Sequence, residues 1–230
     1  MQFKDTLMHG KLIKRYKRFL TDVKLDSGET VTAHCTNSGS MKTCLEEGAE
    51  VYMSPVNDPK RKTKFTWEMI KINDKWVGIN TNHPNRLVYE AVKNQQVDKL
   101  AGYTEVKREV KFGDSRFDVR ASNESETCFI EVKNVTMKVG DVARFPDAKT
   151  ERGRKHLETL IKVKEYGMRA VMFYVVQRTD VAKFGTANDI DPAYAEALQR
   201  AMKAGVEVIA MQAEVSPQGI ELTKELPLDL

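Results

Sequence analysis

Between residues 81 and 85 the hydrophobic pattern changes its period, and this change limits the possible folds more than any other feature of the chain. Before it, apolar residues fall in short runs separated by turn formers. "KRFLTDVKL" and "ETVTAHCT" flank Asp26-Ser27-Gly28, a turn signal between two β-prone runs. "EVYMSPV", "FTWEMIKI" and "WVGINT" follow, with Asn73-Asp74 marking a tight turn between the last two. Five short strands in roughly 80 residues predict a small all-β barrel or sandwich, and an OB-like barrel is one candidate of that size.

After "NTNHPN" the spacing becomes helical. "NRLVYEAVKNQQVDKL" places Leu87, Val88, Ala91 and Val92 on one helix face. "TEVKREVKF" and "RFDVR" then alternate around Gly113-Asp114-Ser115, a hairpin signal, and "CFIEVKNVT" reads as a third strand. A helix over "TERGRKHLETLIKVKEYG" leads to the apolar strand "RAVMFYVV". "DPAYAEALQRAMKAG" carries Asp191 at an N-cap, Pro192 at the first helical position and Gly205 past the end, and "VEVIAM" is the last strong strand. Strand–helix–strand alternation predicts an α/β mixed sheet flanked by helices. The expected domains are residues 1–83 and 84–230.

The 230 residues suffice for one large or two small cores. No apolar run reaches the ~18 residues needed to span a membrane. "MQFKDTLMHGKLIKRYKRF" has no apolar signal core, so a cytoplasmic location is expected. Three cysteines without CxxC spacing argue against a disulfide framework or a zinc site. The formal net charge is +4, and residues 1–84 alone hold 14 Lys and Arg against 10 Asp and Glu. The whole excess therefore lies in the first third, which points to a polyanionic partner or to an ordinary basic surface.

Three charges interrupt strand-like runs. Asp118 separates Phe117 from Val119, and Glu131 and Lys133, two apart, share one strand face. The loop "ASNESET" is short enough to bring Asp118 beside Glu131 in an antiparallel pair. Converging carboxylates repel unless a cation joins them. Mg²⁺ or Mn²⁺ takes oxygen ligands and activates water for phosphodiester hydrolysis, while a lysine beside it stabilises the charged transition state. Glu90, in the preceding helix, is a further candidate carboxylate. An ExK pair on a strand is also the pattern of a surface ion pair, and Glu90 that of a solvated helix residue.

Three basic clusters suit a nucleic-acid partner. "KLIKRYKRF" holds Lys14, Arg15, Lys17 and Arg18 with Tyr16 and Phe19 interleaved. On a strand, Arg15 and Lys17 would share one face, and Lys14, Tyr16 and Arg18 the other. "KRKTK" adds Lys60, Arg61, Lys62 and Lys64 in a loop after Pro59. Arg152 and His156, four apart in the first turns of a helix, could meet a phosphate at its N-terminus. Nothing reads as a recognition helix or zinc finger, so binding to DNA should be largely sequence-independent. The chain carries no phosphate loop, nucleophile elbow or HExxH motif. The sequence leaves the oligomeric state open, a homodimer included.

Six stretches together resemble the sugar fermentation stimulation protein family of bacteria and archaea: "RYKRFLTDV", "HCTNSGSM", "TWE", "VKFGDSRFDV", "CFIEVKNVT" and "FPDAKTERGRKHL". The match extends through "RAVMFYVVQR" to the C-terminal strand. The resemblance implies an N-terminal OB-like domain and a C-terminal restriction-endonuclease-like domain similar to PD-(D/E)xK nucleases. It also implies non-specific DNA binding and a regulatory role in maltose metabolism. The nuclease pattern falls on Asp118 and on Glu131-x-Lys133, with Glu90 as the weaker helix acid. Phe117 stands where that pattern's label has proline, and Thr36 where the family often has proline. Two functions follow as alternatives, a Mg²⁺-dependent deoxyribonuclease or a DNA-binding regulator with a silent nuclease fold. A module that touches no nucleic acid is a third.

Overall fold

The structure, a computed structural model, describes residues 1–230. Its N-terminal part contains β1 (Met8–Tyr16), β2 (Leu20–Leu25), β3 (Thr30–His34), β4 (Glu50–Pro55), β5 (Phe65–Ile72) and β6 (Lys75–Gly78). Their order is β3-β2-β1-β4-β5-β6, and a parallel β3–β5 pairing closes the first five strands into a barrel. This is the OB fold, with β6 added as a hairpin partner of β5. The barrel core is built from inward strand residues such as Val23, Val51, Met53, Trp67 and Ile70, the last two brought to one face by a register shift between β4 and β5. Trp67 is fully buried, and its indole N–H donates to the Met69 carbonyl at 2.9 Å, so its polar atom is satisfied. Asn73 and Asp74 make the β5–β6 turn with φ of 49° and 58°, the left-handed pair that a two-residue hairpin requires.

"KRFLTDVKL" is not one strand. β1 ends at Tyr16, Lys17 and Arg18 turn the chain with φ of 48° and 65°, and β2 begins at Leu20. The β1–β2 register also slips between Leu12 and Lys14. The expected strand faces, Arg15 with Lys17 and Lys14 with Arg18, therefore do not form. Lys17 and Arg18 stand on a tight turn, which strand periodicity cannot reveal when the turn lacks glycine or asparagine.

The C-terminal part runs α1 (His83–Lys93), β7 (Glu105–Phe112), β8 (Ser115–Ser122), β9 (Thr127–Val135), β10 (Met137–Val139), β11 (Val142–Phe145), α2 (Glu151–Glu165), β12 (Arg169–Val176), β13 (Lys183–Thr186), α3 (Pro192–Lys203), β14 (Glu207–Ser216), β15 (Gly219–Glu225) and β16 (Leu228–Asp229). The main sheet has the order β15-β14-β12-β9-β8-β7. Its centre, β9–β12–β14, is parallel, and the flanking pairs are antiparallel. A small second sheet has the order β10-β11-β13-β16. This is the expected mixed sheet flanked by helices. α1 covers one face with Leu87, Val88, Ala91 and Val92. α2 and α3 cover the other with Leu157, Leu160, Val163, Tyr194 and Leu198. Thr150 caps α2 by accepting the Gly153 N–H, and Asp191 caps α3 by accepting the Tyr194 N–H, each stabilising its helix by about 1 kcal/mol.

The barrel and the sheet are joined by polar contacts. The Gly78 N–H donates to the Gln177 carbonyl at 2.9 Å. Arg178, only 1% exposed, pairs with Asp180 at 2.7 Å and donates to the Thr136 carbonyl at 2.7 Å and the Thr43 carbonyl at 3.4 Å. Met1 reaches across to the last hairpin, its ammonium donating to the Ile220 carbonyl at 2.7 Å. No helix is long and apolar enough to cross a membrane.

Candidate active site

β8 breaks its own alternation at Asp118. Phe117 packs with the α2–α3 side of the sheet, whereas Val119 and Ala121 pack with the α1 side. Residues two apart would share a face in a regular strand, so the strand changes face at Asp118. The β8–β9 ladder ends at the same point, its last main-chain pair being Val119 with Ile130. One residue further, Asp118 Oδ2 accepts the Val132 N–H at 2.8 Å. A carboxylate thus fills the place of a main-chain acceptor. Asp118 Oδ1 accepts from Asn85 Nδ2 of α1 at 2.5 Å. Burial, followed by repulsion from Glu131, pushes the Asp118 carboxyl up to about 7, against the pull of the Val132 N–H and Lys133.

Glu131 lies on the neighbouring strand and is 3% exposed. Its Oε1 accepts from Lys133 Nζ at 2.7 Å and meets His156 Nδ1 of α2. Burial alone would raise its carboxyl, but His156 and Lys133 outweigh burial and hold it below the usual carboxylate range. Glu131 Oε2 is buried with no hydrogen-bond partner. Arg152 Nε donates to His156 Nε2 at 3.4 Å. With Nε2 accepting, the proton of a neutral imidazole sits on Nδ1, facing Glu131. His156 Nδ1 also lies 3.1 Å from Lys133 Nζ, so the three side chains form one cluster.

A hard divalent cation fits this arrangement. Glu131 offers an unpaired buried oxygen, Asp118 carries a repulsion that a cation would relieve, and Mg²⁺ is typically held by one or two carboxylates plus water. No three His, Cys, Asp or Glu side chains converge into a preformed cage. Asp118 and Glu131 would hold the ion, with Lys133 beside them.

Other expected residues fall elsewhere. Glu90 pairs with Arg86 at 2.6 Å and lines a cavity with Met1, Gln2 and the β14–β15 hairpin. α1 points Asn85, not Glu90, at Asp118, because five helical residues carry the direction well round the axis. His156 is 8% exposed and engaged with Glu131 and Lys133, so it is not a surface phosphate contact beside Arg152, which remains exposed. Arg15 is a strut, donating to the Arg18, Asn37 and Gly39 carbonyls. Lys14 lies 3.9 Å from Asp22 and over the Tyr16 ring. Arg61 donates to Thr63 and Thr66, while Lys60, Lys62 and Lys64 are exposed. The three cysteines are buried and free.

Asn85 and the His156–Glu131 contact escaped sequence reasoning. Asn85 gives no signal of its own, and the helix read over "TERGRKHLETLIKVKEYG" does not show that His156 turns inward to Glu131. A cleft between barrel and sheet was also missed. It encloses about 380 Å³ and is lined by Arg18 of the barrel, by Asn134 at the end of β9, and by Arg144, Asp147 and Lys149 ahead of α2.

Comparison with known proteins agrees with the two-part fold. The family model described as "SfsA N-terminal OB domain" matches residues 13–79, and that described as "Sugar fermentation stimulation protein RE domain" matches residues 82–219. The sugar fermentation stimulation protein homolog of Geotalea uraniireducens is 48% identical over 227 residues, covering 98% of both chains. That of Paramagnetospirillum magneticum is 49% identical over 232 residues, covering 100% of this chain and 98% of the other. The structure of Pyrococcus furiosus SfsA in complex with Ca²⁺ superposes with a TM-score of 0.90 at 27% identity, covering 100% of this chain and 98% of that one. The chain belongs to the sugar fermentation stimulation protein family.

Proposed function

We propose that the protein binds DNA without sequence preference and hydrolyses phosphodiester bonds at Asp118, Glu131 and Lys133 with a divalent cation, Mg²⁺ or Mn²⁺. The two working units are residues 1–83 and 84–230. Glu131 Oε2 is the observation that carries the reading. A buried ionised carboxylate with one oxygen unpaired costs stability unless a ligand takes it up. Asp118 is held at the parting of two strands by Asn85 and Val132, a fixed rather than a mobile carboxylate. A bound cation would make a coordinated water acidic and offset phosphate charge. Lys133 supplies the positive charge that a pentacovalent phosphate requires. His156 anchors Glu131 from α2. The Ca²⁺ bound by the Pyrococcus furiosus relative is itself a hard, oxygen-seeking ion, which supports a divalent cation here.

The cleft supports a DNA path. Arg18, Arg144 and Lys149 bring cations from both parts of the molecule to one groove beside the end of β9. Exposed Lys60, Lys62 and Lys64 extend the positive barrel surface. The physiological setting is regulation of sugar use, maltose included, by a DNA-bound cytoplasmic protein.

A second reading is a DNA-binding regulator whose nuclease fold does not turn over. It is favoured by Lys133 and His156, which already occupy Glu131 Oε1. Incubation of the protein with single-stranded, duplex and branched DNA in Mg²⁺ or Mn²⁺, beside Glu131→Ala, separates the two. Cleavage by the wild type alone supports the enzyme. Retained DNA binding with no cleavage of any form supports the regulator.

A further inference from the structure

Helix α1 does not supply a third acid to the candidate site, but strand β7 carries one at the same level. In the β7–β8 pairing, Arg108 lies opposite Val119 and Val110 opposite Phe117, which puts Glu109 across from Asp118. The β8–β9 register, Val119 with Ile130, puts Glu131 next to Asp118 on the other side. Glu109, Asp118 and Glu131 therefore occupy one row across three neighbouring strands. Like charges in one row repel, and these three carboxylates form no preformed cage until a cation draws them together.

Glu109 is also strained. Its φ is 54°, in the middle of a strand whose main-chain pairs are kept on both sides. For a residue with a Cβ this left-handed backbone is strained, and glycine would adopt it freely. Nothing local relieves its charge. Lys107 is paired with Glu105 at 2.6 Å, Arg108 lies over the Tyr89 ring, and Glu109 itself is exposed without an ion-pair or hydrogen-bond partner. The row ends in an oxygen that independently calls for a ligand, the unpaired Oε2 of a Glu131 that is 3% exposed.

We infer that Glu109, rather than Glu90, is the third acidic group of the divalent-cation site, completing a row of three carboxylates with Asp118 and Glu131. The inference rests on the proposed cation-dependent reading of the site. A cation in the row would remove the repulsion among all three groups at once, which explains why a strained glutamate stands where glycine would fit better. The chemistry selects a hard ion with oxygen ligands, Mg²⁺ or Mn²⁺, rather than a thiophilic one.

The test is Mn²⁺ binding to the full chain by isothermal titration calorimetry, independent of any cleavage. The variants are Glu109→Gln, Glu109→Gly, Glu90→Gln and Glu131→Gln, with thermal unfolding of each in EDTA. Expected results are about tenfold weaker binding for both Glu109 variants, unchanged binding for Glu90→Gln, and loss of binding for Glu131→Gln. Glu109→Gly should also unfold at a higher temperature than the wild type in EDTA, so weaker binding cannot be put down to misfolding. Wild-type affinity in both Glu109 variants, with binding lost in Glu131→Gln, overturns this inference and leaves the cation site standing. Absence of Mn²⁺ binding by the wild type at millimolar concentration overturns both.

Discussion

Asp118 Oδ2 accepts the Val132 N–H at 2.8 Å, one residue beyond the last main-chain pair of β8 and β9. A side chain thus closes a ladder that the backbone leaves open. The contact fixes Asp118 beside Glu131 at the point where the main-chain ladder stops. The same contact satisfies a main-chain donor that would otherwise be orphaned at the parting.

Asp118 should make stability fall as pH rises. Its carboxyl is pushed up to about 7 in the folded protein, chiefly by burial and then by Glu131, against about 3.9 in the unfolded chain. The folded state therefore holds the extra proton between those values. The contribution is full below about 4 and is lost as pH rises through about 7. Asp118→Asn should match the wild type near pH 4 and exceed it at pH 8 by on the order of 2 kcal/mol, after discounting for the partial exposure of the side chain. Urea unfolding at the two pH values measures the difference, and Mn²⁺ should reduce it in the wild type.

His156→Ala should expose the cost of an unsupported Glu131. With the imidazole gone, Oε1 keeps only Lys133 at 2.7 Å while Oε2 remains unpaired. A loss of about 1–3 kcal/mol is expected in urea unfolding, with His156→Gln losing less because its amide can still donate.

Arg178 should be the costliest single position at the junction of barrel and sheet. Arg178→Ala would leave Asp180 with Lys138 alone and take the main donor from the Thr136 and Thr43 carbonyls. Asp180, held near 2 against its burial mainly by Arg178 and Lys138, would then be a poorly compensated charge. Destabilisation of about 3–5 kcal/mol is expected by urea unfolding.

DNA affinity should depend on salt through the cleft cations. Each phosphate contact contributes a slope of about −0.9 in log K against log salt. Combined Arg18→Gln, Arg144→Gln and Lys149→Gln should reduce the slope by about 2 to 3 in fluorescence anisotropy titrations. Arg15→Gln should act differently, loosening the Asn37–Gly39 loop that its guanidinium braces and lowering stability more than slope.

Much of the fold was legible because long, regular elements advertise their period. β8, β9, β12, α2 and α3 all lie where alternation or capping placed them, down to Asp191 and Pro192 at the start of α3. The small sheet was not legible. Its strands hold two to four residues, too few for a period to show. β15 also escaped, since most of its residues are polar and exposed. In the candidate site, the pairing of Asp118 with Glu131 followed from strand spacing and hairpin length. Asn85 and the His156–Glu131 contact did not, because helix rotation and a buried imidazole depend on tertiary packing rather than on spacing. For the same reason spacing locates α1 without saying that Asn85, rather than Glu90, meets Asp118.

A crystal structure of the protein soaked in Mn²⁺, with anomalous scattering recorded at the manganese edge, tests the divalent-cation site most directly. The expected result is an anomalous peak in contact with Asp118 and Glu131 Oε2. A difference map without such a peak, in which Oε2 stays unpaired and Lys133 Nζ remains on Oε1, would contradict it.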